Sequence, residues 1–230
     1  MEEAGGKMIV KDIKKVEKKD PKDYFLFEIY MESYEESPFL VAKSEMAEFG
    51  LHKGSSVNFD NLKELLDTIL IRRGKGIALR TIARRNLTER ELKDKLLVRN
   101  IPDHITKDVL DWLKELTLLN DESYTENYIN YKGKQKSKRE LMFALKGKGV
   151  GKEMVIETIE KTGFDEMPQA IELAVKKLRP IYNGEEDLRE LPQKEINKIM
   201  GYLFRKGFSL DTCKNAIKEG FILTIRASKL

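Results

Sequence analysis

The spacing of apolar residues changes character near residue 60. Before it, short apolar runs alternate with polar positions. Met8–Val10 with Ile13 and Val16 predicts a first strand, the aromatic-rich run Tyr24–Met31 a second, and Phe39–Val41 a third. Lys18–Asp23, with Pro21 inside it, has the composition of a turn. Ser44 is placed to cap a short helix ending at Phe49, with Gly50 as its stop signal. After Asp60, a candidate N-cap, Leu62, Leu65, Leu66, Ile69 and Leu70 take up helical spacing. Gly74-Lys75-Gly76 is expected to interrupt that helix, which resumes through Ile77, Ala78, Ile82 and Ala83. From there to residue 219 the periodicity is helical throughout.

Within that region one pattern occurs three times. Leu92, Leu96 and Ile101 lead to Ile105, Val109 and Leu110. Leu141, Leu145 and Val150 lead to Met154, Thr158 and Ile159 at identical spacings, and Ile199, Leu203 and Phe208 lead to Thr212, Ala216 and Ile217. Ahead of the third member of each set stand Arg99-Asn100, Lys148-Gly149 and Lys206-Gly207. An Asn or Gly tolerates the left-handed conformation that stops a helix, and the basic residue before it complements the helix dipole. Thr88, Ser137 and Pro192 open the first helices, and Thr88 with Glu91 fits a capping box. Further helices over 77–85, 122–131 and 168–179 precede them and complete three-helix units.

The expected architecture is therefore a mainly α protein. Three tandem three-helix repeat modules form a curved, elongated array, preceded by a small β-rich N-terminal module. The module spans 1–59, the repeats 60–115, 116–166 and 167–219, and a tail 220–230. Phe221–Ile225 in that tail is apolar and has no assigned role.

Composition sharpens the functional choices. Charged residues make up 36% of the 230-residue chain, and the net charge is +4. The sign is unevenly spread: residues 1–60 hold nine Lys against thirteen Asp and Glu. Arg72, Arg73, Lys75, Arg80, Arg84, Arg85, Arg90, Lys93, Lys95 and Arg99 crowd one window. Lys132, Lys134, Lys136, Lys138, Arg139, Lys146, Lys148 and Lys152 crowd another. Such windows are footprints for a polyanion or an acidic protein face. The candidate contacts are Arg84, Arg85, Lys93, Arg99, Lys136, Lys138, Arg139, Lys146, Lys148, Arg205 and Lys206. No apolar run is long enough for a membrane span. The lone Cys213 and the lack of an export signal suggest the cytoplasm.

Enzymatic chemistry is not indicated. Gly147–Lys152 superficially suggests a phosphate loop but lacks a Ser or Thr after Lys152 and a preceding strand; a helix end followed by a helix start fits it better. His52 and His104 have no ligand-spaced partners, so neither metal nor cofactor is expected. Cys213 and Trp112 fall on apolar helical faces and are expected in cores. Tyr124 and Tyr128 are expected to pack between modules, with Tyr131 the most exposed of the three.

Several of these residues resemble one family. Ala83–Leu96 is similar to the opening motif of the RecX regulatory proteins, with Arg84, Arg85, Glu91, Leu92, Lys95 and Leu96 in place. Leu113–Tyr124 resembles that family's junction between its first two repeats, with Thr117 where Gly is common. Lys138–Leu141 with Leu145–Val150 resembles its second repeat, and Phe204–Ser209 its third. The resemblance covers about 60–218. It implies a regulator that binds the RecA recombinase filament on single-stranded DNA; a monomer is expected. It also implies inhibition of that filament's ATPase, strand exchange and co-protease activities, in DNA repair, homologous recombination and the SOS response. Single-stranded DNA within the filament is a further candidate contact. From the residues alone, the alternatives are a non-specific nucleic-acid-binding helical protein and a scaffold for another partner.

Overall fold

The computed structural model describes residues 7–16, 26–31 and 39–229. Its chain divides into two compact units, 1–85 with 93–115, and 86–92 with 116–230. The expected turn at Lys18–Asp23 lies outside the described residues.

The first unit opens with a four-stranded antiparallel sheet of order β3-β2-β1-β4: β1 Lys7–Lys15, β2 Leu26–Met31, β3 Phe39–Ala42 and β4 Ser56–Asn58. Val10 pairs with Met31 and Ile13 with Ile29 across β1 and β2, with a register shift between Val10 and Asp12. The sheet buries Val10, Ile29, Met31 and Val41 against Leu51 and Ile69. Strand β4 was not expected, being only three residues long with alternating exposure. Helix α1, Lys43–Glu48, has Ala42 rather than Ser44 as its N-cap. Ala42 has no capping side chain, so the Glu45 carboxylate takes its N–H at 2.7 Å and meets Arg73 at 3.4 Å. Burial pushes the Arg73 guanidinium down from its ordinary pKa, and Glu45 opposes that shift. Arg72 grips both oxygens of Glu48, at 2.7 and 3.0 Å.

Helix α2 runs unbroken from Phe59 to Ile82, so the expected interruption at Gly74-Lys75-Gly76 does not occur. Gly74 marks a close approach. A Cβ there would stand 3.0 Å from Val109 and 3.6 Å from Ile101. The glycine lets α4, Asp103–Glu115, lie against α2. Helix α3, Glu89–Val98, contributes to both units.

The second unit contains α5 Asp121–Lys132, α6 Lys138–Gly147, α7 Lys152–Lys161, α8 Met167–Leu178, α9 Gln193–Arg205 and α10 Leu210–Ser228. Of the eighteen residues that define the threefold pattern, all except Met154 and Thr212 are buried. Helix α10 continues past residue 219: Phe221 and Thr224 are buried, so the expected tail is the end of the third repeat's last helix. Cys213 is buried in the core of that repeat, and burial pushes its thiol up from the ordinary range.

One set of contacts appears twice in the second unit. Thr88 and Glu91 form the anticipated reciprocal cap at 3.2 Å in each direction, and Ser137 and Glu140 form one at 3.3 and 3.2 Å. The Thr88 hydroxyl also donates to the Lys148 carbonyl at 2.6 Å, and the Ser137 hydroxyl donates to the Lys206 carbonyl at 2.7 Å. Lys148 and Lys206 are the C-caps of α6 and α9. Each cap residue thus closes the start of its own helix and the end of a helix one repeat further on. The ammonium groups complete the link: Lys148 lies 2.9 Å from Glu91 and Lys206 lies 3.7 Å from Glu140. The backbone N–H groups of Glu89 and Lys138 donate to Asp121 and Glu166, at 2.8 and 2.7 Å. Helix α9 begins at Pro192, which forms no side-chain cap, so the third repeat carries no such donor.

Gly149 and Gly207 end α6 and α9 in the left-handed region, with φ of 91° and 93°. Both also pass under an arginine. A Cβ on Gly149 would stand 2.4 Å from Arg90, and one on Gly207 would stand 2.8 Å from the Ser137 hydroxyl and 3.0 Å from Arg139. Gly163, with φ of 62°, has open space around it. Gly207→Ala is therefore expected to destabilise the protein more than Gly163→Ala. The latter carries only the backbone cost of about 1 kcal/mol. Urea unfolding of the two variants measures the difference, and equal losses would show that the contact beneath Arg139 does not matter. Thr117 also has a positive φ, 57°, an unfavourable conformation for a β-branched residue. Thr117→Gly is expected to add about 1 kcal/mol of stability, seen as a higher urea midpoint.

Candidate functional site

The second unit gathers four of the eleven candidate cations into one groove. Lys136, Arg139, Arg205 and Lys206 line it with Glu140, Phe143, Ala144, Phe204 and Gly207, enclosing about 570 Å³. Its position follows from the link just described: the Ser137 cap holds the start of α6 against the end of α9. Arg139, the second residue of α6, lays its aliphatic stem over Gly207.

The groove is electrostatically one-sided. Among the described residues no carboxylate pairs with Lys136, Arg139 or Arg205. Glu140 is the one acid in the lining, and it is held by the Ser137 N–H and faced by Lys206. Two aromatic rings stand in it as well. Phe143 is 82% exposed and Phe204 is 49% exposed. Phe143 lies between Leu141 and Leu145, off the buried stripe of α6, and Phe204 follows the buried Leu203. Charge counting missed both. The legible signal was an apolar residue out of phase with its helix's buried face.

The other candidate cations lie elsewhere. Lys148 does not face solvent as a free charge. It pairs with Glu91 and lies 5.6 Å and 6.0 Å from the ring centres of Tyr124 and Tyr128. Partial burial pulls its ammonium down, but the hydrogen bonds it donates to Glu91 and Tyr124 outweigh this and its pKa lies above that of an ordinary lysine. Lys146 and Lys138 are exposed but do not line the groove. In the first unit, Lys93 pairs with Asp103 at 2.7 Å and holds that carboxyl below its usual range. Arg84, Arg85 and Arg99 are exposed, the first two in the turn after α2 and the last at the end of α3.

The remaining singled-out residues divide similarly. Trp112 is half-buried rather than in the core, with the Lys75 ammonium 4.3 Å from its ring centre. Tyr124 and Tyr128 stack with ring centres 6.2 Å apart, and Tyr131 is exposed. Gly147–Lys152 is a helix end followed by a helix start, with Gly149 at the stop and Gly151 as the N-cap of α7. Among the described residues no group of His, Cys, Asp and Glu is arranged to hold a metal ion, and no helix is long and apolar enough to cross a membrane. His104 instead lies 3.4 Å from Asp67.

Comparison with known proteins places this repeat architecture. Residues 75–113 match the first three-helix domain of RecX, and residues 165–217 match the third. The regulatory protein RecX of Clostridium perfringens is 31% identical over 171 residues, covering 74% of this chain and 79% of that protein. The regulatory protein RecX of Caldanaerobacter subterraneus is 25% identical over 91% of this chain and 98% of its own length. A crystal structure of a regulatory protein RecX superposes with a TM-score of 0.60, at 21% identity, over 92% of this chain and 99% of that one. These relatives are named as regulators rather than as enzymes, and the chain belongs to the RecX family.

Proposed function

We propose that this protein binds the RecA recombinase filament on single-stranded DNA and inhibits its ATPase, strand exchange and co-protease activities. The observation that carries the reading is the groove of Lys136, Arg139 and Arg205, with which no carboxylate pairs among the described residues, the lining Glu140 being faced by Lys206. Cations left unpaired in a concave surface favour an anionic partner and speed its encounter. A recombinase filament offers acidic protein faces and a DNA backbone together. The family relationship supports the choice of this partner.

Inhibition follows from differential binding. A rigid unit docked across adjacent protomers stabilises whichever filament state presents its contacts in register, and it slows a cycle that must leave that state. No catalytic group is needed for this. Regulation would rest on the spacing of the contacts, which the paired caps at Thr88 and Ser137 hold.

The test is a titration into recombinase hydrolysing ATP on single-stranded DNA. The double reversal Arg139→Glu, Arg205→Glu is expected to raise the half-inhibitory concentration about tenfold or more, since each reversal turns an attraction into a repulsion. The exposed pair Lys152→Glu, Lys214→Glu lies outside the groove and is expected to shift it far less. Stability should change little for the control pair, as exposed charges matter within about half a kcal/mol. Unchanged inhibition by the folded double reversal would remove the groove from the inhibitory surface.

A further inference from the structure

The charges of the groove answer to an anion of any kind, but its two rings narrow the choice. Phe143 comes from α6 and Phe204 from α9, and both line the same groove. Single exposed apolar residues are ordinary on protein surfaces. Two aromatic residues on separate helices, converging among four cations and one neutralised acid, are a more specific arrangement. Phe143 remains largely in water and Phe204 about half so, although each helix has a buried stripe beside them.

We infer that this groove is a subsite for single-stranded nucleic acid, in which bases stack on Phe143 and Phe204 while Lys136, Arg139 and Arg205 neutralise the neighbouring phosphates. A single strand repeats the two chemistries the groove offers, a flat π-face and a negative charge at each nucleotide. A duplex repeats only the charge, because its bases are already stacked on one another. An acidic peptide satisfies the cations but supplies no regular series of flat faces. Fixed reading of base identity is not built in: the lining has no Asn or Gln for adenine edges, Glu140 is engaged by Lys206 and the Ser137 N–H, and the remaining cations are assigned to phosphates. Binding should therefore tolerate any sequence and discriminate by strandedness. This site stands on the groove alone and does not require the recombinase reading, since the strand is bound by the protein by itself.

The full-length protein is titrated into three labelled probes: a 30-nucleotide oligothymidylate, a 30-nucleotide strand rich in abasic sites, and a 30-base-pair duplex. The wild-type protein is expected to prefer oligothymidylate to the abasic strand. Phe143→Ala, Phe204→Ala is expected to weaken oligothymidylate binding about thirtyfold or more while leaving abasic binding unchanged, the loss typical of stacked bases. Phe→Leu at both positions keeps apolar volume but not the flat ring, and is expected to weaken binding nearly as much. Arg139→Gln, Arg205→Gln should weaken both single strands and flatten the salt dependence of the logarithm of the binding constant by about 1.4, because two phosphates are no longer neutralised. Circular dichroism confirms folding, which substitutions of exposed rings should leave intact. Equal affinity for thymidylate and abasic strands, or phenylalanine variants that bind thymidylate like the wild type, would overturn the subsite. So would a glutamate–tyrosine copolymer that competes as well as the oligonucleotide and depends on the same rings, which would assign the groove to a protein. A phenylalanine variant that loses strand binding but still inhibits recombinase would uphold the subsite and separate it from the inhibitory contact. Loss of inhibition only in the arginine reversals would bear on the recombinase reading alone.

Discussion

A hydroxyl buried at a helix start has to satisfy both its acceptor and its donor. Thr88 and Ser137 meet that requirement in a way that builds the second unit. Each oxygen accepts the N–H of the third residue of its own helix, and each hydroxyl proton goes to the last carbonyl of a helix in the following repeat. Both residues are fully buried, where an unmet polar group costs about 1–3 kcal/mol. Two ordinary helix-capping requirements, one at a start and one at an end, are thereby met with one atom.

The rest of the link follows from how close the two helix ends come. An arginine at the second helical position must pass over the residue that stops the neighbouring helix, and only a glycine leaves room there. The glutamate that closes the cap faces the lysine that ends the other helix, so charge is satisfied at the same point. Burial differs between the two copies. Lys148 is enclosed by Glu91 and the Tyr124–Tyr128 stack, whereas Lys206 stays more open at 3.7 Å from Glu140. The second copy consequently borders a groove and leaves its cations available to a partner.

Basic residues therefore divide into two groups that composition does not distinguish. Arg72, Arg73, Lys93 and Lys148 make ion pairs within the fold. Lys136, Arg139 and Arg205 converge without an acid of their own among the described residues, beside rings that no hydrophobic core has claimed. In the functional reading, the first group positions helices and the second meets the partner.

The threefold apolar pattern, the helix stops at Asn100, Gly149 and Gly207, and the caps at Thr88 and Ser137 were legible in the sequence because each is a short-range rule. Period, capping and left-handed backbone act within a turn or two of helix. The sequence also marked the basic windows, since charge is additive along a chain. Other features were set by contacts between residues far apart. Gly74 and Gly76 read locally as a break, yet Gly74 sits inside a continuous helix because Val109 and Ile101 pack over it. Phe221 read as part of a tail, yet it is buried on the third repeat because α10 continues against α8. The separation of sixty-nine positions from Ser137 to Lys206 hides the hydrogen bond that makes the groove. Local periodicity determined what the helices are and where they stop. Only tertiary packing decided which charges and rings they leave facing outward together, because that depends on which helix ends meet.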